Sequence, residues 1–171
     1  KVCAGTSKSC AISGDCAQTC CADHIEQQLP PISAWGTAYI AGQLQPRGAE
    51  PNVWRIVAAH NGTEVLFKPA IAPVQQLQAG QWVEVVGNKD VIIESNKAVL
   101  VGQFMASSGL TGSSLGDPAF IILPPVAALG GAARFWVPGT YGSNFVTVSS
   151  PTGAEVKLDG EAQADGLASA D

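Results

Sequence analysis

The residues with the most distinctive chemistry are five cysteines at the start of the chain. Thiolates bind zinc, and His24 just beyond them could supply a further ligand. However, the segment has no Cys-x-x-Cys pair, and the adjacent Cys20 and Cys21 cannot easily place both sulfurs on one tetrahedral ion. We therefore predict disulfides, no metal site and no other cofactor, with zinc as the alternative. The disulfide candidates are Cys3, Cys10, Cys16, Cys20 and Cys21.

An odd number of cysteines leaves one thiol over. It could stay free, pair with a residue beyond this chain, or indicate that the sequence is a fragment, and the sequence leaves the connectivity open. Disulfides persist in oxidising compartments, and small segments without a core of their own depend on them. The cysteines therefore predict an exported protein that is extracellular or located at the cell surface.

Nucleophilic and acid–base catalysis find little support in the sequence. The two histidines, His24 and His60, lie in no nucleophile motif such as Gly-x-Ser-x-Gly. Glycoside hydrolysis would need two carboxyl groups that face each other across a cleft. Glu84, Asp90 and Glu94 could be neighbours, but with fourteen acidic residues a solvated face is the simpler interpretation. We expect no catalytic residues and no enzyme.

Aromatic side chains are the remaining candidates for ligand binding. The four tryptophans could form a platform on which a sugar or a peptide stacks, although we expect most of them to pack in the core. We single out Trp82, Trp136 and Tyr141 as candidate ligand-binding residues. The expected partner is a protein or a glycan at a cell surface.

The composition excludes several classes of protein. Hydrophobic residues make up 46% of the chain and charged residues 13%, which argues against disorder. The net charge is -5 and no cluster of Lys or Arg occurs, so nucleic acid is not expected as a partner. The longest apolar runs, such as residues 120–126, are far shorter than the roughly 20 residues that cross a bilayer. We therefore expect no membrane span.

The chain divides into three parts by its residue types. We predict a cysteine-rich extension over residues 1–30, in which 22–29 form one or two helical turns that end at Pro30. Residues 31–160 have short apolar and β-branched runs separated by Gly, Pro and Asn, typical of an antiparallel β-sandwich or jelly-roll. Residues 161–171 are small and acidic and are predicted to be a flexible tail. The predicted strands are 35–41, 53–59, 63–68, 82–86, 90–94, 97–105, 118–123, 133–137, 144–149 and 154–158.

Two local patterns make sharper predictions. Asn61-Gly62 between two apolar runs is typical of a type I′ turn, which would form a two-residue β-hairpin. In that register Trp54, Ile56, Ala58, Val65 and Phe67 share one face, which we predict to be core. The runs 98–101 and 120–123 are apolar on both faces, as in central strands.

Several segments resemble the IgGFc-binding-protein N-terminal domain family, which occurs in a secreted mucosal glycoprotein and in bacterial surface proteins. The resemblance covers most of the chain and depends on the order and spacing of its pieces. These are residues 20–28 (Cys-Cys-Ala-Asp-His-Ile-Glu-Gln-Gln), 31–36 (Pro-Ile-Ser-Ala-Trp-Gly), 57–63, 99–104, 116–119, 123–126, 143–148 and 158–160 (Leu-Asp-Gly).

The resemblance implies an extracellular, non-enzymatic, β-rich domain and supplies no catalytic residues. Relatives of this kind usually continue beyond the Leu-Asp-Gly motif with further strands. The resemblance therefore implies that the last strands are missing from this sequence or are supplied by another chain through strand addition.

Two functional hypotheses follow. The first is an adhesion or binding module that presents loops or a sheet face to a protein or glycan. The second is a structural subunit of an extracellular assembly, such as a homo-oligomer, completed by strand sharing or by an intermolecular disulfide.

Overall fold

A computed structural model describes residues 25–107, 111 and 116–163 of the chain. The five cysteines lie outside these residues, and so do the predicted disulfides. The division of the chain at residues 30 and 160 stays a prediction.

The described residues form strands, loops and two 3₁₀ turns, Ile32–Ala34 and Val126–Ala128. Among the described residues, Thr111 is the only one in an α-helical conformation. The strands are β1 (Gly36–Ala41), β2 (Asn52–Ala58), β3 (Thr63–Lys68), β4 (Gln75–Leu77), β5 (Trp82–Gly87), β6 (Val91–Met105), β7 (Ala119–Ile122), β8 (Lys157–Leu158) and β9 (Glu161–Ala162).

The long strand β6 is the axis of a seven-stranded antiparallel sheet. On one edge of β6, β2 pairs with residues 99–104 and β3 pairs with residues 92–95. On the other edge, β1 pairs with residues between 91 and 99, and β7 pairs with residues 102–105. β5 lies beside β2, and β4 lies beside β3. One half of the sheet therefore has the order β5-β2-β6-β7, and the other half has the order β4-β3-β6-β1.

One face of this sheet forms the core. Trp54 and Ile56 from one half and Tyr39 and Ile93 from the other are fully buried in a single cluster. A flat sheet would leave this face in water, so its burial requires the sheet to curl until its two halves face each other. The predicted all-β, antiparallel, sandwich-like fold is confirmed. The rest of the cluster consists of Ala41, Ala58, Val65, Phe67, Leu77, Val85, Val91, Val99, Val101 and Leu123.

The predicted hairpin at Asn61-Gly62 is wrong. β2 and β3 do not pair with each other; they follow one another along the same edge of β6. Gly62 has a φ of 66°, but Asn61 has no positive φ, so the link is not a type I′ turn. Side chains hold it instead, since Asn61 Oδ1 accepts the N–H of Ala79 at 3.0 Å and Lys97 Nζ donates to the Asn61 carbonyl at 2.6 Å.

The core residues named in the hairpin prediction are nevertheless confirmed. Alternation alone decides which residues share a face, and pairing with β6 keeps the same face inward. The two-residue hairpin occurs elsewhere, between β8 and β9, where Asp159 and Gly160 have φ values of 52° and 90°. The five core residues are Trp54, Ile56, Ala58, Val65 and Phe67.

Pairing corrects three further strand predictions. The predicted strands 90–94 and 97–105 are one strand, β6, because its neighbours continue along both edges past the polar residues between them. The run 120–123 is not central, since among the described strands β7 pairs with β6 alone and is therefore an edge strand. β4 was not predicted, because its residues, Gln75-Gln76-Leu77, show no apolar alternation.

The helix predicted for residues 22–29 is wrong for 25–29, which form no regular element. Such a short segment does not form a helix on its own, and Pro30 and Pro31 restrict the residues before them to extended conformations. The strands predicted at 133–137 and 144–149 are also not formed, because no strand in the described part of the chain pairs with these β-forming residues. Of the predicted strand 154–158, only β8 is present.

Candidate functional site

The outward face of the β5-β2-β6-β7 half carries a row of four large side chains. They come from four neighbouring strands and are Trp82, Arg55, Phe104 and Phe120. Each lies at an alternate position to the core residues of its strand, for example Arg55 between Trp54 and Ile56, so all four point away from the core. We call these four side chains the aromatic–arginine row.

Arg55 lies at the centre of the row. Its guanidinium carbon is 4.6 Å from the centroid of the Trp82 ring and 4.9 Å from the centroid of the Phe104 ring. Its Nη2 also donates to Glu84 Oε2 at 2.8 Å, because Glu84 stands directly opposite Arg55 in the β2–β5 register. A cation between two aromatic rings and a carboxylate is attracted by all three, so the guanidinium is fixed in place.

At the far end of the row, the Phe120 ring packs over a glycine. Gly102 stands opposite Arg55 on β6, and a Cβ there would lie 2.5 Å from Cε2 of Phe120. The missing side chain lets the Phe120 ring lie over β6 and stack on Phe104, with centroids 4.4 Å apart and an angle of 9° between the planes. Gln27 Nε2 donates to the Phe120 carbonyl at 3.3 Å, which ties the chain before β1 to this edge.

The row is buried at its centre and exposed at one end. Phe104 is 4% exposed, whereas Trp82 at the β5 edge is 56% exposed. The indole of Trp82 is therefore exposed to water and contacts the guanidinium of Arg55, which is fixed in place. Exposed aromatic and arginine side chains on a rigid support are the residues that most often carry binding energy in protein interfaces.

The structure places the three candidate ligand-binding residues in different surroundings. Trp82 belongs to the row, whereas Trp136 and Tyr141 lie in the irregular segment 129–148 and are 80% and 68% exposed. Among the described residues, no ring contact links either of them to Trp82. The role of all three in ligand binding stays a prediction.

The three acidic residues considered for hydrolysis have separate partners. Glu84 pairs with Arg55, and Glu94 pairs with Lys68 Nζ at 2.8 Å. Asp90 accepts the N–H of Gln43 at 2.8 Å. Within residues 25–107, 111 and 116–163, no group of three or more His, Cys, Asp or Glu side chains could hold a metal ion.

The sequence analysis missed Arg55 and Phe104 as members of the site. The signal for Arg55 was present, since it is the one charged residue in the otherwise apolar core of β2. Nothing in the sequence joins it to Trp82 or Phe104, because these contacts depend on the pairing of β2 with β5 and β6.

A comparison with protein families shows which family the chain belongs to. The profile described as IgGFc binding protein matches residues 1–170. The chain belongs to the IgGFc-binding protein family. No curated protein and no solved structure matches it.

Membership in the IgGFc-binding protein family indicates an extracellular binding module. This agrees with the resemblance seen in the sequence. In the described part of this family member, no helix has the length and apolar character of a membrane span.

Proposed function

We propose that this member of the IgGFc-binding protein family is a non-enzymatic extracellular module that binds a protein partner through the exposed end of the aromatic–arginine row. The observation that carries the proposal is the position of Trp82, which is exposed while its support, Arg55, is fixed by Phe104 and Glu84. The family description, which names the Fc region of an antibody as a ligand, supports a protein as the partner.

Preorganisation is the physical reason for choosing Trp82 over other exposed aromatic residues. A side chain that is already fixed loses little conformational entropy when a partner covers it. Trp82 is held on a strand by Arg55, whereas Trp136 lies in an irregular segment. The indole of Trp82 would therefore contribute more to affinity than that of Trp136, although Trp136 is more exposed.

Surface plasmon resonance with purified Fc fragment as the first probe tests the proposal. We expect binding that Trp82→Ala weakens at least about tenfold, because interface tryptophans often contribute 2 kcal/mol or more. Trp136→Ala is the matched control and should leave the affinity within about twofold. Binding that survives Trp82→Ala would contradict the proposed surface. If neither Fc nor any member of a displayed library of extracellular domains binds the purified chain, protein binding itself is wrong.

A structural subunit completed by strand sharing is the second candidate function. The segment 129–148 exposes its large apolar side chains to between 43% and 80%. In the described part of the chain, the β-forming runs 133–137, within this segment, and 144–149, at its end, pair with no strand. Extended apolar runs of this kind add to the edge of another sheet through main-chain hydrogen bonds. The exposed residues are Leu129, Phe135, Trp136, Val137, Tyr141, Phe145, Val146 and Val148.

The two functions differ in the mass of the protein in solution. Strand sharing between copies predicts a mass that rises with concentration in light scattering, and Val146→Asp should return the protein to a monomer. Glu155→Gln is a control at an exposed residue outside the segment. A protein that is monomeric at every concentration would rule out strand sharing between copies and favour the first function, the binding module.

A further inference from the structure

The strand β5 forms one outer edge of the sheet. It pairs with β2 on one side, and on its other side the structure describes no strand. The Ala58 N–H donates to the Gln81 carbonyl at 2.9 Å, which fixes the direction of the main-chain groups that follow along β5. Because these groups alternate in direction, those of Val83 point to β2, whereas those of Trp82 and Val86 point away from it. The outer edge of β5 therefore presents main-chain donors and acceptors.

The other edge strands are shorter than β5 or have another segment beside them. β4 has only three residues. In β7, the Phe120 carbonyl already accepts the Gln27 amide at 3.3 Å. The 3₁₀ turn Val126–Ala128 lies beside β1. Natural proteins often protect edge strands with Pro or Lys, and β5 contains neither. β5 is thus the longest edge beside which the structure describes no strand and no 3₁₀ turn.

The run 144–149 has the residue types of a strand but lies outside the sheet. It contains no charged residue and no proline, and with six residues it has the same length as β5. Its main chain makes no hydrogen bond to the main chain of any residue that the structure describes. Phe145, Val146 and Val148 are each more than half exposed. The run would therefore gain both main-chain hydrogen bonds and apolar contacts at an open sheet edge.

The position of the run separates it from the β5 edge of its own chain. Thr147 Oγ1 donates to the Gln43 carbonyl at 3.3 Å, and a Cβ at Gly42 would lie 3.1 Å from Thr147 Cγ2. These contacts place the run just beyond the end of β1, which pairs with β6. β5 is separated from β6 by β2, so the run does not extend along β5 of the same chain. A second copy supplies the same edge without this separation.

We propose that the run 144–149 of one copy adds as a strand to the β5 edge of a second copy. The inference rests on the second candidate function, strand sharing, and identifies its donor and its acceptor. Cross-strand pairs between aromatic and β-branched side chains stabilise a sheet, and Trp82 on β5 faces a run that carries Val146 and Val148. The added strand would cover part of the exposed indole of Trp82. Self-assembly and the binding of a protein partner would then compete for this residue.

Two variants that each remove one half of the contact test the proposal by light scattering. Val146→Asp places a charge in the donor run and leaves β5 intact. Val86→Pro removes a main-chain donor from the outer edge of β5, and it keeps the bonds to β2 because the Val86 N–H points away from β2. Each variant alone should be a monomer at concentrations at which the wild-type protein has a higher mass. An equimolar mixture should form a dimer, because one intact donor and one intact acceptor remain.

Amide hydrogen exchange keeps the test decisive if Val86→Pro fails to fold. In the wild-type oligomer, the amides of Trp82 and Val86 should exchange at least about tenfold more slowly than in the Val146→Asp monomer, because the added strand accepts them. The Val83 amide points to β2 in both proteins and should change less. A synthetic peptide of residues 143–150, added to the Val146→Asp monomer, should slow exchange at the same two amides.

The outcomes separate this proposal from strand sharing in general. An oligomer that persists in Val86→Pro, a mixture that stays monomeric, or unchanged exchange at Trp82 and Val86 would overturn β5 as the acceptor and leave strand sharing in place. A wild-type protein that is monomeric at every concentration would overturn both. Glu155→Gln, at an exposed residue outside the run, is the control and should assemble like the wild-type protein.

Discussion

The guanidinium carbon of Arg55 lies 4.6 Å from the centroid of the Trp82 ring. The contact joins the neighbouring strands β2 and β5, and the same guanidinium contacts Phe104 on β6. Because Phe104 is buried and Trp82 is exposed, Arg55 couples an indole in water to the packed centre of the sheet.

Replacement of Arg55 by lysine should lower the free energy of unfolding by about 1 kcal/mol, because an ammonium group keeps the charge but loses the planar stacking on two rings. Urea denaturation followed by circular dichroism measures the change. Lys68→Ala is the matched control, since its ion pair with Glu94 is largely exposed and such pairs contribute little. Equal losses in the two variants would show that stacking adds nothing at Arg55.

Gly102→Ala should destabilise the fold by about 1–3 kcal/mol, because the new methyl group overlaps the Phe120 ring and overpacking has this cost. The shift of the thermal midpoint measures it. Gly131→Ala provides the comparison, because a Cβ at Gly131 has no heavy atom within 4 Å. A Gly102→Ala variant as stable as the Gly131 variant would mean that Phe120 does not stack on Phe104 in solution.

Tyr39→Phe should lower the free energy of unfolding by about 1–3 kcal/mol, because it leaves buried polar groups unpaired. The Tyr39 hydroxyl donates to the Val99 carbonyl at 2.6 Å and accepts the N–H of Gly36 at 2.9 Å. These bonds span the irregularity in the β1–β6 register between Gly36 and Ala38. Amide hydrogen exchange at Gly36 should accelerate in the variant, and unchanged exchange would contradict the role of the hydroxyl.

The same tyrosine predicts a loss of stability in alkali. Burial raises the pKa of Tyr39 above its ordinary value of 10.0, and the Gly36 N–H offsets only part of the increase. A raised pKa in the folded state gives stability that is complete below about pH 10 and is lost as the pH rises toward the folded value. Denaturation between pH 8 and about pH 12 should show this loss in Tyr141→Phe, which retains Tyr39, and a smaller loss in Tyr39→Phe.

Glu50 predicts the opposite dependence in acid. Burial raises the pKa of Glu50, but the N–H groups of Arg47 and Glu50 and the Arg47 charge outweigh it and lower the pKa below its ordinary value of 4.5. The lowered pKa gives stability that is present above about pH 4.5 and is lost as the pH falls through the folded value. Denaturation between about pH 2.5 and pH 6 should therefore be less pH-dependent in Glu50→Gln than in the wild-type protein. Glu155→Gln, whose carboxylate is 66% exposed, should keep the wild-type slope. Parallel slopes in all three proteins would place the acid sensitivity at other carboxyl groups.

The cysteine prediction is tested by mass spectrometry after alkylation without reductant. We expect four of the five cysteines to be protected as disulfides and one to be alkylated or joined to a second chain. Zinc found at one ion per chain, with all thiols reactive after chelation, would favour the alternative metal site. Loss of a dimer on reduction would assign the odd cysteine to an intermolecular bond.

Much of the sheet could be predicted from the sequence, because the alternation of residue types along a strand shows which of its faces is buried. The alternation of Trp54 and Ile56 with Arg55 predicted both the strand and its inward face. The same reasoning failed at 133–137 and 144–149, where residues that favour strands pair with no strand that the structure describes. High strand propensity shows that a segment can pair with a strand. The segment forms a strand only where the edge of a sheet is available to it.

The sequence by itself determined the all-β class, most strand positions and the inward residues, because alternation with a period of two is a local property. Only the tertiary structure decided the partners of each strand. It placed β2 and β3 in succession along β6 instead of in a hairpin, since burial of both inner faces in one core favours that arrangement. It also brought Trp82, Arg55 and Phe104 together. The row consists of residues far apart in the chain, and only the pairing of strands makes them neighbours.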